Sequence, residues 1–276
     1  VDAIQGGAGT SANMNANEVI ANRADELLGG TKGSYQHVHP NDHVNMAQST
    51  NDIIPSAGKL TVLKLLVPLF RELERLLNAL LEKSKQFDHI LKMGRTQLQD
   101  AVPMRLGQSF HAYASVIQRD IHRLENAQKE MYRLNMGGTA IGTAINVSHS
   151  YLQHICPKIA ELTGLPFASA DDLFDATQNL DGFVTVSSSL KTCAVNLSKL
   201  CNDLRLLSSG PRTGFAEITL PPKQNGSSIM PGKINPVIPE VVSQVAFNII
   251  GNDCTITMAA EAGQLRIKCL RTGRLL

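Results

Sequence analysis

Apolar residues along this chain recur at helical spacing. Leu66, Leu69, Leu73, Leu76 and Leu80 step by threes and fours and draw one stripe along a long helix. Pro68 stands near the start of that stripe and predicts a kink there. A second stripe runs through Phe110, Ala114, Ile117, Ile121, Leu124 and Met131. A third runs through Leu190, Ala194, Leu197, Cys201, Leu204 and Leu207 and stops at Ser209-Gly210-Pro211, a strong helix terminator. A fourth follows Pro236 through Val241, Val245, Phe247 and Ile249. Each stripe reads as core packing. Four long helices with near-heptad stripes predict a mainly α protein, an elongated antiparallel helical bundle. Strand-like alternation is nearly missing, and only short stretches such as Ile90-Leu91-Lys92-Met93 read as extended.

The polar, Gly-rich joints between the helices carry more information. They are Gly6 to Asn17, Asn41 to Asp52, Gly94 to Pro103, Gly137 to Asn146 and Gly226 to Pro236. Loops carried on a rigid helical scaffold are where chemistry concentrates.

Composition narrows the classes. The 276 residues suit one large domain or two ordinary ones, and 43% hydrophobic with 18% charged residues is the balance of a soluble globular protein. A net charge of +2 is too small to argue for nucleic acid or a membrane surface. Aromatics at 4% without Trp argue against base-stacking surfaces. No uninterrupted run of about 18 apolar residues suggests a membrane span. The opening Val1-Asp2-Ala3-Ile4-Gln5 has no signal-peptide pattern, and a first residue other than Met predicts that the natural start is missing. Cys156, Cys193, Cys201, Cys254 and Cys269 are odd in number and form no CxxC pair, so they read as reduced core thiols of a cytoplasmic protein.

Two motifs mislead. Gly7-Ala8-Gly9-Thr10-Ser11-Ala12 fits the dinucleotide pattern, but that pattern has meaning only inside a βαβ unit, and Val1 to Gln5 makes a poor strand. Gly226 to Lys233 resembles a phosphate loop with its glycines one residue too far apart, and Ile234 stands where Mg²⁺ binding needs Ser or Thr. His37 and His39 lack the helical spacing and nearby acid of a zinc site.

The decisive joint is Gly226-Ser227-Ser228-Ile229-Met230-Pro231-Gly232-Lys233-Ile234-Asn235-Pro236. Glycines near both ends suit a mobile lid, Lys233 offers a positive charge for a carboxylate, Asn235 can donate and accept, and Pro236 suits the first turn of the next helix. Composition alone leaves an ordinary flexible turn equally open. The pattern G-S-S-x-M-P-x-K-x-N-P is, however, the signature of the fumarase/aspartase superfamily. Three further blocks resemble it in the same order: Gly7-Ala8-Gly9-Thr10-Ser11 through Glu18, Gln48-Ser49-Thr50-Asn51-Asp52, and Gly94-Arg95-Thr96-Gln97-Leu98-Gln99-Asp100. The resemblance covers the chain to about Gln264. Thr50, Gln97 and Asp100-Ala101-Val102-Pro103 are similar to the aspartase branch, where fumarases usually carry Ser and His at the first two positions.

That resemblance implies a bundle of the fumarase/aspartase type with a partial N-terminal domain (1–49), a central helical domain (50–264) and no C-terminal domain. It implies elimination of ammonia from L-aspartate to give fumarate through an aci-carboxylate. Ser227 maps onto the general base, working as an alkoxide. Thr10, Ser49, Thr50 and Ser228 would cradle the aci-carboxylate, Lys233 and Asn235 with Thr96 would hold the other carboxylate, and Asn51 and Gln97 would receive the amino group. It further implies a homotetramer whose active sites are shared between subunits, a small dicarboxylate substrate, and no cofactor or metal site, although some relatives respond to Mg²⁺.

Two departures stand out. Ala144 occupies a position where relatives usually have Gly, which predicts strain if the backbone there needs a positive φ. From Leu265 to Leu276 the family pattern is lost, and one inserted nucleotide would account for the change, so 265–276 is expected to be a frameshifted tail. A class II fumarate hydratase, a catalytically silent truncated scaffold of the lens-crystallin kind, and a nucleotide-binding domain remain as alternatives.

Overall fold

The computed structural model describes residues 6–263. The tail from Leu265 and Cys269 within it lie outside the described residues. The fold is mainly α, as the stripes predict. Its helices are α1 (Thr10–Leu27), α2 (Thr50–Gln86), α3 (Leu106–Ala127), α4 (His149–Thr163), α5 (Leu173–Gln178), α6 (Asp181–Leu207) and α7 (Val237–Glu261). Strands β1 (Leu91–Thr96) and β2 (Gln99–Arg105) form an antiparallel hairpin, and β3 (Arg133–Leu134) pairs in parallel with β4 (Ala168–Ser169). Short π-helical and 3₁₀ turns occupy Pro40–Val44 and Gln128–Tyr132.

The chain divides into two compact units, and the division falls within α2, α6 and α7. The first holds residues up to Leu65, Gln128–Thr185 and the segment from Cys254. The second holds Leu66–Ala127 and Val186–Asp253.

In the second unit the predicted stripes of α2 and α3 face inward. Leu66, Leu73 and Leu80 of α2, and Phe110, Ala114, Ile117, Ile121 and Leu124 of α3, are buried. Helix α3 lies antiparallel to α6: Tyr113 Oη donates to Asp203 at 3.0 Å, and seven residues further along α3 the buried Asp120 receives the amide of Asn196 at 2.9 and 3.0 Å. Arg123 also pairs with Asp120. Asp253 of α7 takes a hydrogen bond from Ser187 (2.7 Å) and from Lys191 (2.5 Å) of α6. These carboxylates are held out of water only because each has charged or amide donors.

Several expectations change. The joint Gly6 to Asn17 is not a loop beyond Gly9, because α1 begins at Thr10. Its inner face is polar, with Asn13 and Asn17 both donating to Asn45 Oδ1 at 3.2 and 2.9 Å, so no apolar stripe announces it. Helix α2 starts at Thr50, which puts Pro68 in its interior. The joint Gly94 to Pro103 is largely β-hairpin. On α7 the stripe is turned outward: Val241, Val245 and Phe247 are exposed, while Pro239, Ser243, Ala246 and Asp253 are buried. Periodicity identifies an apolar face but not what covers it.

Among the cysteines, Cys156, Cys193 and Cys201 are buried and free, and burial pushes the Cys193 thiol up to about 12. Cys254 is exposed rather than a core thiol. Among the described residues α2 alone is long and apolar enough by composition to cross a membrane, with a window of mean hydropathy 1.6. Its polar positions are nonetheless tied into the first unit: Lys59 Nζ donates to Arg133 O at 2.6 Å, and Asp52 is fully buried.

Candidate active site

The sequence-predicted site residues divide between the units. Thr10, Ser49, Thr50 and Asn51 belong to the first, and Thr96, Gln97, Ser227, Ser228, Lys233 and Asn235 to the second.

In the first unit, Gly9 caps α1 with φ 93°, and a Cβ there would sit 2.9 Å from the Ile54 side chain. Only glycine allows both that backbone conformation and that approach to α2. Thr10 follows it, exposed, with its hydroxyl donating to Gly7 O at 2.9 Å. Ser49 caps α2: its Oγ accepts from Asn51 N at 3.2 Å, while Ser49 N donates to Asp52 Oδ1 at 2.9 Å. This is a capping box, S-x-x-D, and it stiffens Ser49-Thr50-Asn51 at the mouth of the helix. Asn51 Nδ2 donates to Ala140 O at 2.7 Å. Ser49, Thr50 and Asn51 are half-buried.

Asp52 itself was missed as a site residue, although the capping-box spacing was there to be read. Burial raises its pKa, and backbone N–H groups of Ser49, Thr139 and Gly137 work against that rise. Burial and then the Asp52 charge push the Tyr151 phenol up to about 12. The Gly137 to Asn146 joint is a turn, as predicted, and Ala144 adopts φ 54°, a left-handed conformation that strains an alanine. Ala144→Gly is expected to raise stability by about 0.5–1 kcal/mol, read from the urea midpoint, because relief of the strain exceeds the entropy glycine adds to the unfolded chain.

In the second unit, Thr96 and Gln97 sit exposed at the tip of the β1–β2 hairpin. Gln97 and Leu98 both have positive φ, 52° and 61°, where such turns favour Asn-Gly. A cleft of about 420 Å³ beside this tip is lined by Gln97, Lys92, Arg95, Tyr113, Lys199 and Phe215, among others. Glu217, which sequence reasoning also missed, fixes the hairpin there: it bonds Arg95 at 2.5 Å and pairs with Lys92 at 3.1 Å. Arg95 stacks over Phe215 at 4.3 Å. Burial opposes ionisation of Glu217, but these two cations prevail and hold its pKa below the usual 4.5. Because the folded pKa is depressed, this stabilisation is complete above about 4.5 and is lost as pH falls through the folded value. Glu217→Gln is therefore expected to lower stability at neutral pH by about 1–2 kcal/mol, read from the urea midpoint, and to flatten the decline of that midpoint on acidification.

The lid folds back on itself. Ser227 N donates to Lys233 O at 2.9 Å, Lys233 N donates to Met230 O at 3.1 Å, and Gly232 takes φ 83°. Inside this loop the Ser227 Oγ accepts from Ile229 N and Met230 N, each at 3.3 Å. Two converging N–H groups form a small positive nest, which favours a negative oxygen. Ser227 is half-buried, and Ser228, Lys233 and Asn235 are exposed to solvent. Among the described residues no group of three or more His, Cys, Asp or Glu side chains is placed to hold a metal ion.

A family profile described as a lyase matches residues 1–251. The aspartate ammonia-lyase of Bacillus subtilis is 54% identical over 270 residues, 98% of this chain and 57% of its own length. That of Helicobacter pylori is 58% identical over 267 residues, 97% of this chain and 57% of its own length. Among solved structures, a fumarate lyase:delta crystallin from Brucella melitensis bound to cobalt superposes with a TM-score of 0.96 at 52% identity, covering 100% of this chain and 60% of that one. A class II fumarase from Schistosoma mansoni gives 0.94 at 38% identity, covering 97% and 59%. The chain thus spans about 57% of the length of the curated relatives it matches. With a profile running over most of its length, the same mainly helical fold, and ordered motif blocks ending in the Ser227–Lys233 lid, the chain belongs to this lyase family.

Proposed function

We propose that this chain is the larger part of an aspartate ammonia-lyase, which eliminates ammonia from L-aspartate to give fumarate. The observation that carries the reading is the lid serine: Ser227 Oγ receives two backbone N–H groups in a loop that also bears Lys233. The difficulty of the reaction is the carbon acid beside the side-chain carboxylate, because its conjugate base places two charges on one carboxyl group. Donors that strengthen as that charge develops lower the barrier.

Ser227, as alkoxide, removes the proton from that carbon, and the Ile229 and Met230 N–H groups stabilise the alkoxide beforehand. Thr10, Ser49, Thr50 and Ser228 donate to the aci-carboxylate. Lys233 and Asn235, with Thr96, hold the other carboxylate. Asn51 Oδ1, aimed by the bond from its amide to Ala140 O, and Gln97 receive the amino group, which leaves as the double bond forms. No cofactor enters these steps. A homotetramer whose copies share each site, working in the cytoplasm, belongs to the same reading, and the outward apolar face of α7 supports burial against another copy.

Identity of 52–58% to curated aspartate ammonia-lyases, against 38% to a class II fumarase, supports ammonia over water as the group lost. Following fumarate by its ultraviolet absorbance discriminates directly. The purified protein is expected to release fumarate from L-aspartate and not measurably from L-malate. The opposite preference would replace this reading with a hydratase.

A further inference from the structure

Three buried polar residues of the first unit have no task in that mechanism. Asp52, Asn135 and Thr177 are 0%, 2% and 0% exposed. One oxygen of Asp52 closes the capping box with Ser49 N. The other accepts from Gly137 N at 3.2 Å and Thr139 N at 3.0 Å, which lie on a turn far along the chain. Asn135 Nδ2 donates to Asn51 O and to Thr177 Oγ1, both at 3.0 Å. Asn51 Nδ2 donates to Ala140 O. Residues 49–51 are therefore joined to residues 135–140 by separate hydrogen-bonded routes.

A helix cap does not require this arrangement. An exposed Asp would close the box equally well, whereas burying a carboxylate carries a desolvation cost. Three N–H groups converging on two oxygens need both oxygens as acceptors, which the carboxylate supplies and an amide cannot. We propose that Asp52 and Asn135 are positioning residues: they clamp Ser49-Thr50-Asn51 to the Gly137–Ala140 turn and so fix where those side chains meet the dicarboxylate. The inference rests on the function proposed above. Neither residue touches substrate, and each acts through the loop it holds.

The test compares the parent protein with Asp52→Asn and Thr177→Val, using amide hydrogen exchange and steady-state kinetics on L-aspartate. Asp52→Asn turns an NH₂ group toward a backbone N–H. It is expected to speed exchange at Ser49, Gly137 and Thr139 by about tenfold or more, leaving α3 and α6 protected. It should lower kcat on the order of a hundredfold, with KM changed by less than about threefold, because a misplaced cradle is felt most where charge develops. Thr177→Val removes one of the two acceptors of the Asn135 amide and so loosens its hold on Asn51 O, and should lower kcat about tenfold by the same logic. A merely structural cap would lower the melting temperature but leave kcat per folded molecule unchanged, and that result in both variants overturns the proposal. So does unaltered exchange at the three amides. If Asp52→Asn does not fold, Thr177→Val decides by the same readouts. Ser227→Ala run in parallel separates the two failures: undiminished turnover there counts against the proposed base, while the exchange rates still judge the clamp.

Discussion

Ser227→Ala is expected to remove deamination of L-aspartate, lowering kcat by about 10³-fold, while leaving helix content and melting temperature unchanged. The expectation has two parts. Alanine deletes the only atom at that position able to take a proton from carbon, and the neighbouring Ser228 lacks the pair of N–H groups that converge on the Ser227 oxygen. Stability should be indifferent because the serine lies half-buried in a loop, and its backbone bond to Lys233 O does not need the hydroxyl. Since the hydroxyl is not a carboxylate ligand in this reading, KM should move little. A variant with near-parental kcat would remove the base from the mechanism. A variant that lost activity together with its fold would instead make the lid structural.

A large loss of stability is expected from Gly142→Ala. Gly142 has φ 96°, and a Cβ there would stand 2.6 Å from Phe174 Cα and 2.7 Å from Leu173 O. Both obstacles are backbone at the start of α5, so no side-chain rotation relieves them. Strain at positive φ and overpacking together cost on the order of 3 kcal/mol. For a chain of this size that corresponds to a fall in melting temperature of roughly 6–12 °C. The turn that moves also supplies Ala140 O to Asn51, so kcat should fall with it. An unchanged urea midpoint would mean that the turn is looser than this geometry allows.

What the sequence revealed follows from what each element buries. Helices α2 and α3 were legible because their apolar stripes are buried, and α6 because Ala194 and Cys201 of its stripe are. Helix α1 was not, because Asn13, Asn17 and Asp25 line its inner side and hydrogen bonds rather than apolar area hold it. The hairpin was half legible: β1 falls near the extended stretch from Ile90, but its turn uses Gln97-Leu98 in place of Asn-Gly and gives no turn signal. On α7 the period was correct, but this chain alone does not cover the stripe, since Phe247 is 65% exposed. For the site, the lid stood out through its resemblance to the family signature, because its composition alone left an ordinary flexible turn equally open. Asp52 and Asn135 did not stand out. One looked like an ordinary cap, and the other gains its role only by meeting Asn51, 84 residues away in the chain.

The central claim is that Ser227 moves a proton between carbon and itself, and the reverse reaction in D₂O tests it most directly. Fumarate and ammonium incubated with the protein should yield L-aspartate carrying one deuterium on the carbon beside its side-chain carboxylate, seen by proton NMR, and Ser227→Ala should yield none at comparable times. Deuterated aspartate forming as fast with Ser227→Ala as with the parent would contradict the account.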